Sequence, residues 1–327
     1  MAFDLRDGLD VQIRPGSTVA DVLALDVSRG HPLTGPVHVE GAEPGDLLEV
    51  EILDVTPAEW GYTIILPNLG LLGHRFAEPF VVEWEIHEGV ARSPGMPGVA
   101  IASDPFLGVM GVAPSAERLA AFAARERALL ETGALVMPPD PRGAVPSTGP
   151  AATEGLRTVP PRENGGNMDV KQMTAGATVS LAVEVPGALF SVGDPHFAQG
   201  DGESCGVAIE MAARTTLRFG LRKAAELRWR PRAPTFRYAD RGGTRRGEYI
   251  ATTGVSLGRD GSNAFLDVHA AARNALEELV DHLVLDRGLS PNQAYVLVSV
   301  AADLRISEIV NVPNALVSAV LPLDVFE

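Results

Sequence analysis

The chain has 327 residues, 46% hydrophobic and 21% charged, a balance that excludes wholesale disorder and fibrous classes and suits one large domain or two interlocked ones. Lys plus Arg number 27 against 42 Asp plus Glu, and the resulting formal charge of −15 repels phosphate backbones and anionic lipid, so nucleic-acid binding is set aside. No apolar run approaches the roughly 18 residues of a membrane span. The single cysteine, Cys205, cannot form an internal disulfide, and Asp4, Arg6 and Asp7 stand where an export signal would be basic and then apolar. A cytoplasmic protein is expected.

Gly supplies 34 residues and Pro 25, spaced every few positions between short apolar stretches, which is the punctuation of a turn-rich β protein. In chain order, Leu48, Val50 and Ile52 alternate with Glu49 and Glu51, and Phe80, Val82, Trp84 and Ile86 bracket Glu83 and Glu85, the period of two of half-buried strands. Ser115, as N-cap, opens a helix whose stripe of Leu119, Phe122, Leu129 and Leu130 ends at Gly133. Met137 to Arg162 is dense in Gly and Pro and reads as a long surface connection. Val179, Leu181, Val183 and Val185 predict another strand. The longest runs from Val207 through Ile209, Met211, Thr215, Leu217 and Phe219 to Leu221, with Glu210, Arg214, Arg218 and Arg222 on its opposite face. The arginines between Arg214 and Arg246 are spread through strand-like sequence and read as intramolecular partners for the acidic excess. A helix is expected from about Leu266 to Asp286, carrying Leu276, Leu279, Val280 and Leu283 and closed by Gly288. Another starts at Ser290-Pro291, where the missing N–H of proline costs nothing. The expected class is α+β, mainly β: a sandwich-like or barrel-like strand-rich architecture with a few helices, the longest in the C-terminal part. Residues 1–140 form a β-rich part, and 141–327 an α+β part interlocked with it.

Polar residues with chemical potential concentrate between Asn164 and Glu210. Asn164-Gly165-Gly166-Asn167-Met168-Asp169-Val170-Lys171 places Asn167 and Asp169 on a tight turn, and Gly193 to Gly206 holds Asp194, His196, Asp201 and Glu203 within ten positions among glycines. A zinc-type ion takes neutral imidazole and carboxylates, commonly three protein ligands with a position left for water whose pKa falls to roughly 7. His196 and two nearby acids meet that count. In an extended segment Asp201 and Glu203 share a side, so one can bind metal while the other acts as base. Ordinary turn chemistry also accounts for Asp-Pro, Gly-Asp-Gly and Asn-Gly-Gly. Cys205 beside the cluster is a candidate nucleophile or an inert buried thiol. His31 and His74, in Gly/Pro-bounded loops, are further candidate ligands; His87, His269 and His282 read as structural or exposed. No phosphate-binding loop and no Gly-x-Ser-x-Gly elbow is present.

The stretch Gly165 to Lys171, then Val185 to Glu203 almost without interruption, and Cys205-Gly206 resemble the central signature of the acetamidase/formamidase family. Leu33-Thr34-Gly35-Pro36 with Val39 to Asp46, Pro105-Phe106-Leu107-Gly108 with Gly111 to Pro114, and Ser307 to Asn311 through Leu321-Pro322-Leu323 extend the likeness from about residue 30 to the end. Gln172 stands where many relatives have histidine, and His31 where asparagine is common. The resemblance implies hydrolysis of a short aliphatic amide, formamide or acetamide, to carboxylate and ammonia by a cytoplasmic homo-oligomer, a dimer or a multiple of one, that depends on a divalent metal. Position by position it gives His196, Asp169, Asp194 and Asp201 as ligands of the ion, zinc in the first instance, with Glu203, Asn167 and Asp201 handling water and oxyanion. The competing readings are a metal-free amidase using Cys205, and a non-catalytic β protein binding metal or a small ligand.

Overall fold

The computed structural model describes residues 1–239 and 247–327. Fifteen strands are present among them: β1 (Ala2–Leu5), β2 (Leu33–Val37), β3 (Leu47–Ile65), β4 (Phe80–His87), β5 (Val90–Arg92), β6 (Ala100–Ala102), β7 (Phe106–Gly111), β8 (Gly165–Asn167), β9 (Thr178–Ala182), β10 (Phe190–His196), β11 (Glu210–Arg222), β12 (Thr235–Arg237), β13 (Tyr249–Val255), β14 (Asp303–Glu308) and β15 (Leu316–Pro322). The helices are α1 (Val19–Leu23), α2 (Ala116–Glu131), α3 (Val268–Arg287) and α4 (Pro291–Ala301).

Twelve strands make one sheet whose main path runs β6-β5-β4-β3-β11-β10-β7-β8, with both ends open, so the architecture is strand-rich and sandwich-like and not a closed barrel. Its spine is the antiparallel pair β3 and β11, which stay in register from Glu210↔Tyr62 to Arg222↔Leu47 across two irregularities. Leu48, Val50, Ile52, Tyr62, Ile64 and Ile65 are fully buried along β3, each such aliphatic side chain being worth about 1.5–3 kcal/mol. A separate three-stranded sheet, β13-β15-β14, packs one face on α3.

Local sequence chemistry sets the helix limits. Ser115 accepts from the Arg118 N–H and opens α2; Ser290 and Gln293 form a reciprocal capping box at α4; and Gly288 takes the left-handed conformation that ends α3. Three local expectations are corrected. Leu129 and Leu130 are 54% and 48% exposed, because α2 buries only Phe122 and Glu126 and its last turn stands clear of the sheet. The helix expected from Leu266 starts at Val268, since Leu266 has φ 48° and Asp267 caps the first turn by accepting from Ala270 N–H. Gly165 to Asn167 is a short strand on β7, not a turn; φ near +100° at Gly165 and Gly166 lets it hug Gly111, where a methyl group on Gly165 would meet the Met110 carbonyl oxygen at 2.3 Å.

The connection 137–162 contains one 3-10 turn, Pro150–Ala152, yet it is tied down. The buried Arg157 guanidinium donates to the carbonyls of Ser28 and Arg142, and Arg162 makes a bidentate pair with Glu126 at 2.7 and 2.8 Å. The basic stretch does neutralise acids: Arg214 faces Asp4, Arg218 faces Glu51 and Lys223 binds Asp46; Arg241, Arg245 and Arg246 lie outside the described residues.

The packing of α4 controls the segment that carries Glu203. Tyr295 Oη donates to the Ser204 carbonyl at 2.6 Å, Ser299 Oγ accepts from Cys205 N–H and donates to the Val207 carbonyl, and Gly200 N–H bonds the Ser299 carbonyl. Arg162→Met should destabilise the chain by about 3–5 kcal/mol in denaturant unfolding, because it leaves the Glu126 carboxylate buried without a partner. Glu126→Gln paired with Arg162→Met should recover much of that loss.

Candidate active site

Four carboxylates and one imidazole converge where β10, β11, the end of β8 and the 199–206 loop meet. Asp194 and His196 close β10; His196 sits opposite Glu210 in the β10–β11 register, and the Phe106 ring lies edge-on to its imidazole at 5.0 Å. Asp169 follows β8, its N–H directed at the Gly108 carbonyl. Glu203 comes from the loop. Asp169, Asp194 and Glu203 have φ of 48°, 54° and 42°, left-handed conformations that non-glycine residues adopt at a cost and that here turn three acids toward one point.

The imidazole has one nitrogen committed. His196 Nδ1 is 2.9 Å from Gln199 Oε1, and Gln199 Nε2 donates in turn to the Asp169 carbonyl, so the amide is fixed with its oxygen toward the ring and Nδ1 carries the proton. Nε2 therefore faces the carboxylates, 3.2 Å from Glu210 Oε1 and 3.4 Å from Asp194 Oδ2. A lone pair cannot stay opposed to two acceptors. A proton or a cation must stand between them.

Burial and charge act on every member. Burial would lower His196, but Glu210 and Asp194 outweigh it and hold the imidazolium well above its ordinary range. Burial, reinforced by the neighbouring acids, pushes Asp169 and Glu210 up to about 7 and Glu203 well above the usual carboxylate range. Burial would raise Asp194 too, yet the imidazoles of His31 and His196 keep it below that range. The cluster contains no lysine or arginine among its described members, so its negative charge is balanced by protons or by a metal ion.

The donor set fits such an ion. Ligand atoms of Asp169, Asp194 and His196 lie within 4.8 Å of one another, as do those of His196, Glu203 and Glu210. Asp169 Oδ1, Asp194 Oδ1, Glu210 Oε2 and His196 Nε2 are buried without a hydrogen-bond partner. A methyl group on Gly108 would stand 2.6 Å from Asp169 Oδ1 and 2.9 Å from Asp194 Oδ2, so glycine there keeps the space between the two acids clear. His and carboxylates in threes are the ligand chemistry of a catalytic zinc-type site.

Of the residues singled out from sequence, Asp169, Asp194, His196 and Glu203 are brought together. His31 stands at the edge, Nε2 3.8 Å from Asp194 Oδ2 and Nδ1 3.2 Å from Thr158 Oγ1. Asn167 lies two residues before Asp169 with its side-chain oxygen buried and unpartnered. Asp201 goes elsewhere: its carboxylate is 3.5 Å from Lys171 Nζ, which also binds Asp303. The extended geometry expected for Asp201 and Glu203 does not form, because this segment is a pair of turns and the left-handed Glu203 reverses the chain. His74 pairs with Glu277 of α3 at 2.9 Å and is not among the ligand atoms that gather at the cluster. Cys205 is fully buried, its Sγ donating to the Val207 carbonyl, and burial pushes the thiol up to about 12, which removes the thiolate a nucleophile needs. Gln172 lines a cavity of about 480 Å³ with Lys171, Asp303 and Gln199, the residue that also bonds His196.

Glu210 was read as one of the outward residues of its strand, and the structure buries it at 5% exposure. Tyr62, its register partner on β3, is fully buried and donates to Asp7 Oδ1 at 2.6 Å. Asp7 also accepts from the N–H groups of Leu9 and Val11, which brings Gly8 against the acids. The one available signal was that Glu210 is the sole acid on a strand face whose other charged residues, Arg214, Arg218 and Arg222, are arginines.

A model of the Acetamidase/Formamidase family matches residues 1–327. A formamidase of Methylophilus methylotrophus is 36% identical over 336 residues, covering 97% of this chain and 82% of the relative. An acetamidase of Mycolicibacterium smegmatis is 34% identical, covering 90% and 79%. Among solved structures, a gamma lactamase from Delftia acidovorans matches with a TM-score of 0.94 at 34% identity, over 100% of this chain and 84% of that one.

The raised acids set the sign of the pH dependence in the absence of metal. Asp169, Glu203 and Glu210 hold protons in the native state that the unfolded chain releases near pH 4, so unfolding free energy falls as pH rises from about 4 through 7. His196, also raised, adds a contribution of the same sign. Chelator-treated protein should melt at a higher temperature at pH 5.5 than at pH 8, and adding a divalent ion should raise the melting temperature more at pH 8.

Proposed function

This chain belongs to the acetamidase/formamidase family, and on that footing we propose that it hydrolyses short aliphatic amides to a carboxylate and ammonia at the His196 cluster with the aid of one divalent ion. The observation that carries the reading is His196 Nε2, buried and aimed between two carboxylates with its other nitrogen fixed by Gln199. His196, Asp169 and Asp194 would hold the ion, and their mixed nitrogen and oxygen donors suit zinc. When bound, such an ion lowers the pKa of a water molecule and polarises an amide carbonyl.

The remaining chemistry belongs to the chain. Amide hydrolysis is slow because water is a weak nucleophile and nitrogen a poor leaving group. Glu203, ionised once a cation offsets the neighbouring acids, is the base: it takes a proton from the attacking water as the C–O bond forms and returns it to the departing nitrogen as the C–N bond breaks. Its raised proton affinity suits the return step. Asn167 gives its side-chain N–H to the carbonyl oxygen as charge develops there. Gln199 keeps His196 in the Nδ1–H form, and Phe106 excludes water from the ring face. A cyclic amide breaks at the same bond, and the 0.94 match to a gamma lactamase makes lactam ring opening the second reaction to assay. We further assign the active form to a cytoplasmic homo-oligomer. Among the described residues no helix is long and apolar enough to cross a membrane.

Release of ammonia from formamide, acetamide and longer amides, and of a free amine on ring opening of a γ-lactam, tests the reaction, before and after dialysis against a chelator. Release that depends on the ion is expected; activity surviving complete metal removal would overturn the role of the ion, and no release from any member would overturn the substrate class. Glu203→Gln should keep the ion and lose about 10²–10⁴ in kcat, the range for a positioned acid–base group. Gln199→Ala should weaken ion binding by about 10–100-fold, whereas Asp201→Asn and Cys205→Ala should leave the ligand set intact.

A further inference from the structure

The connection 137–162 has almost no regular structure, yet it anchors the loop that carries His31. Arg157 Nη1 donates to the Ser28 carbonyl at 2.6 Å, and the Arg157 carbonyl in turn accepts from Arg162 Nη1. Thr158 then reaches two residues at the edge of the cluster. Its hydroxyl oxygen accepts from the His31 N–H at 3.3 Å and lies 3.2 Å from His31 Nδ1, while its carbonyl accepts from the Asn167 N–H at 3.2 Å. The oxygen is taken by the backbone N–H, so the hydroxyl hydrogen goes to Nδ1 and the imidazole carries its own hydrogen on Nε2. Asp194 Oδ2, which Nε2 faces, favours the same form, because a carboxylate repels a lone pair and attracts an N–H.

That N–H is unspent. At 3.8 Å it is too far from Asp194 Oδ2 for a hydrogen bond, and an oxygen atom set between the two groups falls within reach of both. His31 keeps 15% of its side chain exposed where His196 keeps 1% and Asp194 3%, so it stands on the solvent side of the acids, where a substrate arrives. The cluster holds no lysine or arginine among the described residues, so negative charge developing on a carbonyl oxygen there calls for neutral donors fixed in advance.

We propose that His31 is a catalytic residue of the amide hydrolysis: its Nε2–H donates to the amide carbonyl oxygen beside the Asn167 side-chain N–H, and Thr158 is the positioning residue that holds both. The hydrogen bond strengthens as the oxygen becomes negative, and the proton stays on nitrogen throughout. This assignment deepens the reading of the preceding section and rests on it.

The test uses full-length protein loaded with zinc, assayed for ammonia release from formamide and acetamide, with the zinc content of every variant measured. His31→Phe, which keeps a ring without the donor, should lower kcat about 10²–10³-fold, the effect of removing one oxyanion donor, while KM moves less than about 3-fold and zinc content is unchanged. His31→Gln, whose Nε2 reaches the same place, should recover at least about 10-fold of that loss. Thr158→Val should lower kcat about 10-fold, and Thr158→Ser should restore it. A readout free of turnover comes from nitrogen NMR of isotope-labelled histidine in the metal-free protein, where the His31 ring, assigned by its absence from His31→Gln, should carry its hydrogen on Nε2. Hydrogen on Nδ1 overturns the assignment, and so does a kcat in His31→Phe within about 3-fold of the parent. Equal losses in His31→Phe and His31→Gln also overturn it, by making the role one of shape, and loss of zinc from His31→Phe overturns it by making His31 a ligand. A parent that releases no ammonia from any amide, by contrast, overturns the reading on which this one stands.

Discussion

Four acids gathered around one imidazole, with no lysine or arginine among them in the described residues, is the constraint from which the rest of this structure follows. Removing a carboxylate from water is costly unless it is paired, and these four are paired with little except His196 and the more distant His31. Left alone, such a cluster drives its members to hold protons, as Asp169, Glu203 and Glu210 do, and so gives up the charge that chemistry needs. A bound divalent ion reverses that tendency. The folding cost of assembling the acids is then linked to the free energy of binding the ion.

The scaffold spends its irregularities here. Three of the acids sit on left-handed backbone, and Gly8 and Gly108 are stripped of side chains where the carboxylates come closest. None of this would persist without reinforcement. The β3–β11 spine fixes Glu210 opposite Tyr62, α4 pins the loop of Glu203 through Tyr295 and Ser299, and Lys171 joins Asp201 and Asp303. Lys171 lies two residues beyond Asp169 and Asp201 two before Glu203, so this ion-pair group couples the segments bearing two of the acids. Asp201 belongs to the support of the site and not to its interior.

Much of this was legible in the sequence where short-range chemistry decides. The caps Ser115 and Ser290, the terminator Gly288 and the alternation along residues 48–52 and 80–86 each act within a few residues and each appear in the structure. Asp194, His196 and Glu203 were readable because glycine-rich loops concentrate them. Glu210 was not, since periodicity assigns one environment to a whole strand face: Arg214, Arg218 and Arg222 on that face are exposed, and only its first residue is covered, by His196 of β10 and the turn at Gly8. The same blindness to packing misjudged Leu129 and Leu130. Asp201 failed for a different reason: a left-handed residue at 203 changes direction, and φ is invisible in a run of polar residues. His74 shows that a glycine-flanked histidine is as readily a surface ion-pair partner, here of Glu277, as a ligand.

The size of the substrate explains why such rigidity is worth its cost. Formamide has three heavy atoms and acetamide four, and even the best tiny ligands gain no more than about 1.5 kcal/mol per heavy atom on binding. Remote contacts cannot supply the energy that larger substrates use to drive distortion or closure. The acceleration must therefore reside in groups already fixed before the amide arrives: an imidazole locked by Gln199, acids held by strained backbone, and a Glu203 loop pinned by α4. A flexible cluster would have to be ordered at each turnover, and an amide this small has nothing with which to order it. The burial of the site, the glycines at its closest approaches and the ion-pair supports behind it are in this sense consequences of one chemical fact, that the substrate is almost entirely the bond to be broken.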